Sequence, residues 1–384
     1  MKSTVVSPLW LLQQEVINSG LCMGCGTCVA VCPEDCLYID EIEPKYKGGC
    51  IYCGACYNSC PGRHLPMEEL ENMAFGQTRS DEHDALGVYN SLFSGHAIDP
   101  DTRKRGTAGG VVTALLISLL EEGSITGAVA VTFDEVKPWK PIPVICRTKD
   151  EILKAAKSKY SFTPQVAVLR EAKAQDRLAF VSLPCQAEGL RKAELAGNAF
   201  DSVKVTIGIC CAMNARLSGT VNLIERELGL NLDEVESISY RARDYPGGFA
   251  VVTKGHKSTR SIESQKQSSS HFLPVGYLSN LYAFRLYRCI TCYDWSAELA
   301  DISVGDAYVS DKSRQKFSCV ITRNRLGLDI VKQSISSGYL HLETVKGIPM
   351  QENKGLLYKK QGNRVFIREA RRHGLPSPSY PVKP

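Results

Sequence analysis

Two copies of one cysteine spacing near the N-terminus constrain this chain more than any other feature of its sequence. Both copies read C-x2-C-x2-C-x3-C-P, a run that ligates [4Fe–4S] clusters and whose fourth cysteine serves the other cluster of a pair. The first copy ends at Cys32-Pro33 and the second at Cys60-Pro61. We therefore assign one cluster to Cys22, Cys25, Cys28 and Cys60, and the other cluster to Cys50, Cys53, Cys56 and Cys32.

A zinc site or a disulfide framework is the alternative interpretation of these cysteines. Zinc sites use two C-x2-C pairs, whereas each run here has three evenly spaced cysteines followed by Cys-Pro. Gly24, Gly26 and Gly54 fit a loop whose backbone packs closely around sulfide and donates N–H groups to it. Residues 1–66 are therefore predicted to form a two-cluster ferredoxin module with a short lead-in.

Composition places the chain among ordinary globular proteins and excludes some partners. Its 384 residues are 43% hydrophobic and 23% charged, and the longest apolar stretch, 111–120, is far short of the roughly 20 residues that span a bilayer. Residues 1–20 lack the features of a secretory signal, so the sixteen cysteines indicate metal ligation rather than disulfides. The protein is expected in the cytoplasm, either free or at the periphery of a membrane complex. The charge of +5 is not read as a nucleic-acid footprint, because no basic run with interleaved aromatic residues supports one.

The order of predicted elements indicates an α/β fold, α+β overall, with a small module followed by a larger mixed domain. Apolar strands at 178–183 and 203–209 each run into a helix, which favours some parallel pairing. Residues 67–86 are polar and are predicted to form a linker. The large domain is predicted to occupy 87–345, and 346–384 to form a C-terminal extension that runs over the surface.

A second set of cysteines lies in the large domain. Cys185 and Cys211 each follow an apolar strand, and ligands in open α/β sheets gather at the carboxyl ends of strands. Cys289 and Cys292 form a further C-x2-C pair. Three loops could converge on one more cluster, but buried, unreactive cysteines remain an equally open interpretation of the spacing alone.

The large domain resembles the β subunit of the coenzyme F420-reducing hydrogenase and F420H2 dehydrogenase family. The resemblance is carried by seven short segments in the family's order, at 107–116, 139–141, 159–160, 183–186, 208–211, 289–292 and 300–306. It implies that Cys185, Cys211, Cys289 and Cys292 ligate a third [4Fe–4S] cluster beside FAD. Cys211 aligns with the family's ligand, and Cys210 takes a place that is usually aromatic. The remaining thiols, Cys36, Cys146, Cys210 and Cys319, are then expected to be packed rather than ligating.

The flavin residues rest mainly on the same resemblance. The Gly109-Gly110 turn opens an apolar helix, which by itself is a weak signal for phosphate or flavin binding. The resemblance implies that Thr107, Ala108, Gly109, Gly110 and Thr113 lie nearest to FAD. The matched segments also include Lys159, Tyr160, Asp301 and Asp306; Lys159 would supply a positive charge, and the two aspartates would accept hydrogen bonds or simply cap turns.

The resemblance implies that the chain is a flavin and iron–sulfur oxidoreductase component. Coenzyme F420 would exchange a hydride with FAD, and single electrons would pass through the clusters to or from a larger redox complex, such as a membrane quinone-type oxidoreductase, a hydrogenase or a heterodisulfide-reductase-like assembly. One alternative is a stand-alone reductase of another organic substrate, similar to hydroxymethyl-chlorophyll reductases and fed by external ferredoxin. Another is an electron-transfer adaptor without flavin.

The cysteine assignments predict the metal content directly. Three cubes on twelve cysteines require about twelve iron and twelve acid-labile sulfide per chain. Iron and sulfide analysis after anaerobic reconstitution measures this ratio, and saturation at eight iron would remove the third cluster.

Overall fold

The N-terminal module is two short helical loops beside a β-hairpin. The structure, a computed structural model, describes residues 7–80, 85–243, 247–254, 269–307, 316–347 and 354–380. Parts of the predicted lead-in, linker and C-terminal extension (1–6, 81–84, 348–353 and 381–384) lie outside these ranges. The module contains α1 (Pro8–Leu12, extended by a π-helical turn, Gln13–Ile17), α2 (Thr27–Ala30), β1 (Leu37–Asp40), β2 (Glu43–Tyr46) and α3 (Ala55–Asn58).

The large domain alternates strands and helices, which confirms the predicted mixed α/β architecture. After α4 (Met67–Phe75), its first half contains β3 (Ser91–Ala97), α5 (Pro100–Arg105), α6 (Val111–Glu121), β4 (Gly127–Phe133), β5 (Pro141–Cys146), α7 (Lys149–Lys154), a 3-10 helix (Gln165–Glu171), β6 (Leu178–Ser182) and α8 (Pro184–Leu195). Its second half contains β7 (Val203–Ile209), α9 (Leu217–Asn222, extended by the π-helical turn Leu223–Glu227), a short 3-10 helix (Leu232–Glu234), β8 (Val235–Ala242), β9 (Gly248–Thr253), β10 (Ser269–Pro274), a 3-10 helix (Val275–Phe284), α10 (Tyr287–Ile290), β11 (Ile302–Asp306), β12 (Ser318–Thr322), α11 (Arg325–Ser336) and β13 (Leu340–Thr344).

An eight-stranded sheet in the order β13-β3-β12-β11-β7-β6-β4-β5 forms the centre of this domain. The four central strands β4, β6, β7 and β11 are parallel, and the outer pairs are antiparallel. β6 is buried along its whole length, as expected for a parallel strand covered on both faces. Because these four strands run the same way, their carboxyl ends meet at one edge of the sheet.

Different elements cover the two faces of the sheet. On one face, α6 and α11 bury apolar side chains such as Leu115 and Val331 against the strands. On the other face, the 3-10 helix Gln165–Glu171 and α8 pack together with residues of the N-terminal module, including Met23 and Cys25. A separate three-stranded antiparallel sheet, β10-β9-β8, has its own core around Tyr240 and Phe249.

The N-terminal module is part of the large domain's core rather than a tethered appendage. The amide of Val166 donates to the carbonyl of Cys25 over 3.0 Å, and Arg170 donates to the carbonyls of Val29 (3.1 Å) and Cys32 (2.6 Å). On the opposite side of the module, Lys192 donates to the carbonyl of Cys60 over 2.9 Å. These contacts fix the position of the module on α8 and its neighbours.

The predicted linker is a structural element where the structure describes it. Residues Met67–Phe75 form α4, which buries Leu70 completely. Glu71 is also fully buried and pairs with Arg79, which pairs in turn with Glu298 over 2.8 Å. The polar composition that predicted a linker therefore reflects a buried ion-pair network, which a single-sequence pattern does not distinguish from a solvated segment.

The described part of the predicted C-terminal extension packs one face against the large domain and leaves the other face exposed. Residues Lys354–Leu357 (α12), the π-helical turn Tyr358–Gly362 and Asn363–Arg372 (α13) lie against the large domain. Their buried side chains include Lys359, Lys360, Asn363, Ile367 and Ala370. Further along, Ser379 forms a β-bridge with His64 of the module, so this segment joins the two parts of the protein.

Within the residues described, no helix combines the length and apolar character needed to cross a membrane.

We expect removal of the cation from the Glu71–Arg79–Glu298 network to lower the free energy of unfolding strongly. Arg79→Met would leave two buried carboxylates without this partner, and losing one member of a buried ion pair costs about 3–5 kcal/mol. Arg325→Met is the matched control, because that arginine pairs with Asp329 on the exposed surface, where the cost is about 0–1 kcal/mol. Anaerobic thermal denaturation compares the two variants, and equal melting temperatures would contradict the assigned role of the network.

Candidate functional site

A cleft opens where the parallel strands end at one edge of the central sheet. It holds ≈ 1050 Å³ of unfilled space. We call it the central cleft; its walls include the ends of β4, β6, β7 and β11, with Val131, Ser182, Ile209, Gly305 and Asp306. This is the position at which open α/β sheets bind their ligands.

The loop before α6 closes one side of the central cleft and depends on two glycines. Gly110 has φ +75, and a Cβ there would lie 2.7 Å from the carbonyl oxygen of Thr102. A Cβ on Gly106 would lie 2.6 Å from the Cα of Gly110. The loop can therefore fold tightly enough to bring the amino end of α6 to the cleft, where helix N–H groups and the helix dipole favour an anionic group.

Most of the predicted flavin residues meet in the central cleft. Those that line it are Thr107, Ala108, Gly110, Thr113, Lys159 and Asp306. Gly109 lies just behind this wall, where its amide donates to the hydroxyl of Ser318 over 3.0 Å. The carboxylate of Asp306 also forms an ion pair with the guanidinium of Arg241, at an N–O distance of 3.2 Å.

Two further predicted residues, besides Gly109, do not reach the lining of the central cleft. The hydroxyl of Tyr160 accepts a hydrogen bond from Arg241 over 3.1 Å, and its ring packs edge-on against Tyr240 in the small sheet's core. Asp301 lies at the amino end of β11, opposite the cleft, where it accepts from the Thr206 amide (2.7 Å) and pairs with Arg191 (2.9 Å). Its carboxylate joins the strand β7 to the helix α8.

Lys159 is partly buried in the wall of the central cleft. Its ammonium donates to the carbonyl of Ala156 over 2.9 Å, and to that of Ala155, at the end of α7. Burial lowers the pKa of Lys159 to about 7, and the positive charge of Lys157 acts in the same direction. Lys159 can therefore hold or release a proton near neutral pH at a point that faces the cleft.

Sequence reasoning missed two serines of the central cleft. The hydroxyls of Ser161 and Ser182 are buried, line the cleft and have no hydrogen-bond partner within the structure. Buried polar groups are rarely left without partners, so these hydroxyls fit a cleft whose bound group supplies the missing hydrogen bonds. In the sequence, the position of Ser182 at the end of an apolar strand could have marked it as a candidate for the cleft.

The eight N-terminal cysteines form two groups, and each group lines its own cavity. The inner set is Cys22, Cys25, Cys28 and Cys60, around ≈ 350 Å³ of space. The outer set is Cys32, Cys50, Cys53 and Cys56, around ≈ 370 Å³. In each set, the fourth cysteine comes from the other run, which is the exchange that the spacing predicts. Burial raises the pKa of Cys28, and so do its inner-set neighbours Cys60, Cys25 and Cys22.

The third set is Cys185, Cys211, Cys289 and Cys292, brought together from three loops. Cys185 lies in the first turn of α8, Cys211 follows β7, and the C-x2-C pair spans α10. Burial raises the pKa of Cys211 to about 12, and the nearby Cys289 and Cys292 contribute to that increase. After burial, the largest cause that raises the pKa of Cys185 is Cys25 of the inner set, so the third set adjoins the inner set.

Cys210 and Cys211 point to different surroundings. Burial raises the pKa of Cys210, and a hydrogen bond with Cys319 raises it further. The two side chains meet over Gly305, where a Cβ would lie 2.6 Å from the sulfur of Cys210 and 3.3 Å from that of Cys319. Cys211 therefore joins the third set, whereas Cys210 packs against a spare thiol.

The C-terminal segment covers the third set. Asn363 donates to the carbonyls of Cys289 (3.0 Å) and Cys292 (2.8 Å). The hydroxyl of Tyr380 lies 4.0 Å from the sulfur of Cys292 and donates to Glu188 over 3.1 Å. The third set is thereby enclosed by protein on the side away from the central cleft.

The thiols of the cysteine sets do not converge on single points among the described residues. Across the ranges that the structure describes, no three His, Cys, Asp or Glu side chains are placed so that they could hold one metal ion. A zinc ion needs its ligands to converge on one point, whereas a [4Fe–4S] cube takes each thiolate at a different iron.

Comparison with known proteins identifies the family. Residues 92–170 match the family described as coenzyme F420 hydrogenase/dehydrogenase, beta subunit N-term, and residues 175–347 match the corresponding C terminus. Residues 15–38 match the 4Fe-4S binding domain, which covers the first cysteine run and confirms an iron–sulfur motif there.

Two relatives and one solved structure show the extent of the similarity. The coenzyme F420 hydrogenase subunit beta of Methanothermobacter thermautotrophicus is 33% identical over 76% of this chain and 99% of its own length. One subunit of the F(420)H(2) dehydrogenase of Methanosarcina mazei is 26% identical over 77% of this chain and 78% of its own. A chain of the F420-reducing [NiFe] hydrogenase complex from Methanosarcina barkeri superimposes with a TM-score of 0.59 at 25% identity, covering 77% of this chain and 96% of that one. The chain belongs to the family of coenzyme F420 hydrogenase/dehydrogenase beta subunits.

Proposed function

We propose that this chain is the electron-input subunit of a larger redox complex, in which coenzyme F420 exchanges a hydride with FAD held in the central cleft. Electrons then pass through three [4Fe–4S] clusters to or from a partner protein. FAD, when bound, supplies the step between a hydride and single electrons, and cubes carry one electron at a time. The named relatives are subunits of F420-using enzymes, which favours this function over a stand-alone reductase.

The observation that carries the proposal is the wall that the central cleft shares with the third set. Leu183 lines the cleft two residues before Cys185, and Ile209 lines it two residues before Cys211. Asn214 also lines the cleft, and its carbonyl oxygen lies 4.0 Å from the sulfur of Cys289. A redox group in the cleft would therefore lie beside the third set, as one-electron transfer requires.

The residues of the central cleft suit an anionic, hydrogen-bonding cofactor. The amino end of α6 faces the cleft with Gly110 and Thr113, where N–H groups can meet a pyrophosphate. Ser161 and Ser182 offer hydroxyls that have no hydrogen-bond partner among the described residues. Lys159 offers a cation or a neutral amine near neutral pH. Each of these side chains would gain a partner when FAD binds, which is the physical basis for placing it here.

The order of the cysteine sets supports a relay toward the surface. The third set adjoins the inner set through Cys185 and Cys25, and the inner set adjoins the outer set, because Cys56 of the outer set contributes to the raised pKa of Cys28. The outer set is the most exposed of the three, with Cys53 open to solvent. We infer that electrons exchange with the partner complex through the outer set.

Anaerobic mixing tests the proposed function. The reconstituted protein is mixed with reduced coenzyme F420, NADH or NADPH while the flavin absorbance is followed. We expect reduced F420 to bleach the flavin and the two nicotinamides to leave it unchanged. A protein that takes up no flavin, or flavin that only a nicotinamide bleaches, would contradict the proposal.

We expect flavin binding to be sensitive to a single added methyl group at Gly110. Gly110→Ala forces an L side chain into the left-handed region, which costs about 1–2 kcal/mol, and it places the Cβ against the Thr102 carbonyl. We expect the variant to lose most of its bound flavin. Gly123→Ala is the matched control, because Gly123 ends the same helix with φ +71 and has open space around it. Flavin released by acid and measured per chain compares the two; equal flavin content would contradict the placement.

The two adjacent cysteines predict opposite outcomes for one substitution. Cys211→Ser should lose the cluster of the third set, because its thiol faces Cys289 and Cys292. Cys210→Ser should keep it, because that thiol faces Cys319. EPR spectra of the reduced variants and their iron content report the result. The opposite pattern would exchange the two assignments.

A further inference from the structure

Two neighbouring lysines of the C-terminal segment are buried, which is costly for a charged side chain. Lys359 and Lys360 lie in the π-helical turn Tyr358–Gly362 and are 2% and 4% exposed. A buried ammonium needs a counter-charge, because desolvation of the charge is otherwise not offset. The identity of each counter-charge therefore shows what each lysine is for.

Lys360 has a carboxylate as its counter-charge. Its ammonium donates to Glu298, which also pairs with Arg79 over 2.8 Å. The ammonium additionally lies 3.9 Å from the ring centroid of Tyr293. This lysine is fully accounted for by the ion-pair network that holds the C-terminal segment to the large domain.

Lys359 faces the third set instead. None of the ion pairs between described residues involves Lys359, and the side chains that raise its pKa most are Cys292, Cys211 and Cys289. Two buried carboxylates lie near this set: Glu188 is engaged by Arg288 (3.6 Å) and by Tyr380 (3.1 Å), and Asp294 accepts from the amide of Glu298 (2.9 Å). The counter-charge of Lys359 is therefore the third set itself.

The position of Lys359 is fixed rather than accidental. Asn363, four residues further on, donates to the carbonyls of both Cys289 and Cys292, so the helix that carries the lysine is bonded to the loop that carries the thiols. Lys360 holds the adjacent position to Glu298. These contacts leave the Lys359 ammonium at the thiols of the third set.

A cube held by four thiolates is an anion, and its reduction adds one more negative charge. A buried cation beside it stabilises the reduced form more than the oxidised form, because charges interact strongly at low dielectric. We propose that Lys359 is the fixed counter-charge of the third set and raises the reduction potential of the cluster bound there. The inference rests on the proposed function, since it requires a cluster on these four cysteines.

The test is a redox titration of the complete reconstituted protein, followed by EPR. Lys359→Met and Lys359→Gln should both shift the potential of the third cluster to more negative values, while the clusters of the inner and outer sets change less. Lys359→Gln removes the charge but keeps a polar side chain that can still donate hydrogen bonds, so it separates the effect of charge from that of polarity. Lys359→Arg keeps the charge and should keep the native potential. Lys360→Met is the matched control and should shift the potential less, because that lysine pairs with Glu298.

Iron analysis of each variant separates the different failures. Native protein without a third cluster would overturn the proposed function and this inference with it. A native third cluster whose potential is unchanged in the iron-replete Gln or Met variant would overturn this inference alone. If the Met variant does not assemble its third cluster, the Gln variant decides, and if neither assembles while Arg does, the cation is needed for the cluster to form and the counter-charge role stands.

Discussion

The packing of the N-terminal module on α8 is the constraint on which the rest of this structure depends. Gly189 of α8 has no side chain, and a Cβ there would lie 2.2 Å from the hydroxyl of Thr27 and 3.6 Å from the sulfur of Cys25. This close approach brings the inner set beside Cys185 at the start of the same helix. Because α8 follows β6 directly, the contact also ties the module to the edge of the sheet where the central cleft opens.

Charged side chains are buried around the third set, and the ion pairs and hydrogen bonds between them offset the cost of their desolvation. Arg288 is 2% exposed and pairs with Glu188 while it donates to the hydroxyl of Tyr380 over 2.7 Å. The C-terminal segment contributes Tyr380, Lys359 and Asn363 to this region. A buried network of this kind is stable only when nearly every member has a partner, so the segment at the end of the chain completes the environment of the third set.

Cysteine spacing predicted the local sites because the ligands of the inner and outer sets lie within one short stretch of chain. The exchange of Cys32 and Cys60 between the sets could be predicted for the same reason. The third set needed the family resemblance, since Cys185, Cys211 and the C-x2-C pair are far apart in sequence and meet only through tertiary folding. The α/β architecture was also predictable, because apolar strands followed by helices are a local pattern.

The features that the sequence did not predict are tertiary in origin. The polar segment before the large domain contains a buried ion pair between Glu71 and Arg79, and the C-terminal segment buries the charged side chains of Lys359 and Lys360. Asp301 belongs to a matched segment, but it lies at the amino end of β11, so its strand carries it away from the cleft. Ser161 and Ser182 become candidates only because their hydroxyls are buried without a hydrogen-bond partner among the described residues. No sequence pattern reveals this.

In the proposed electron path, the third set is the bridge between the central cleft and the clusters of the inner and outer sets. The most direct measurement mixes a Cys289→Ala variant, reconstituted with flavin, with reduced coenzyme F420 and follows the flavin by absorbance and the clusters by freeze-quench EPR. We expect the flavin to bleach as in the native protein while the clusters of the inner and outer sets stay oxidised. Reduction of those clusters at the native rate would contradict the account.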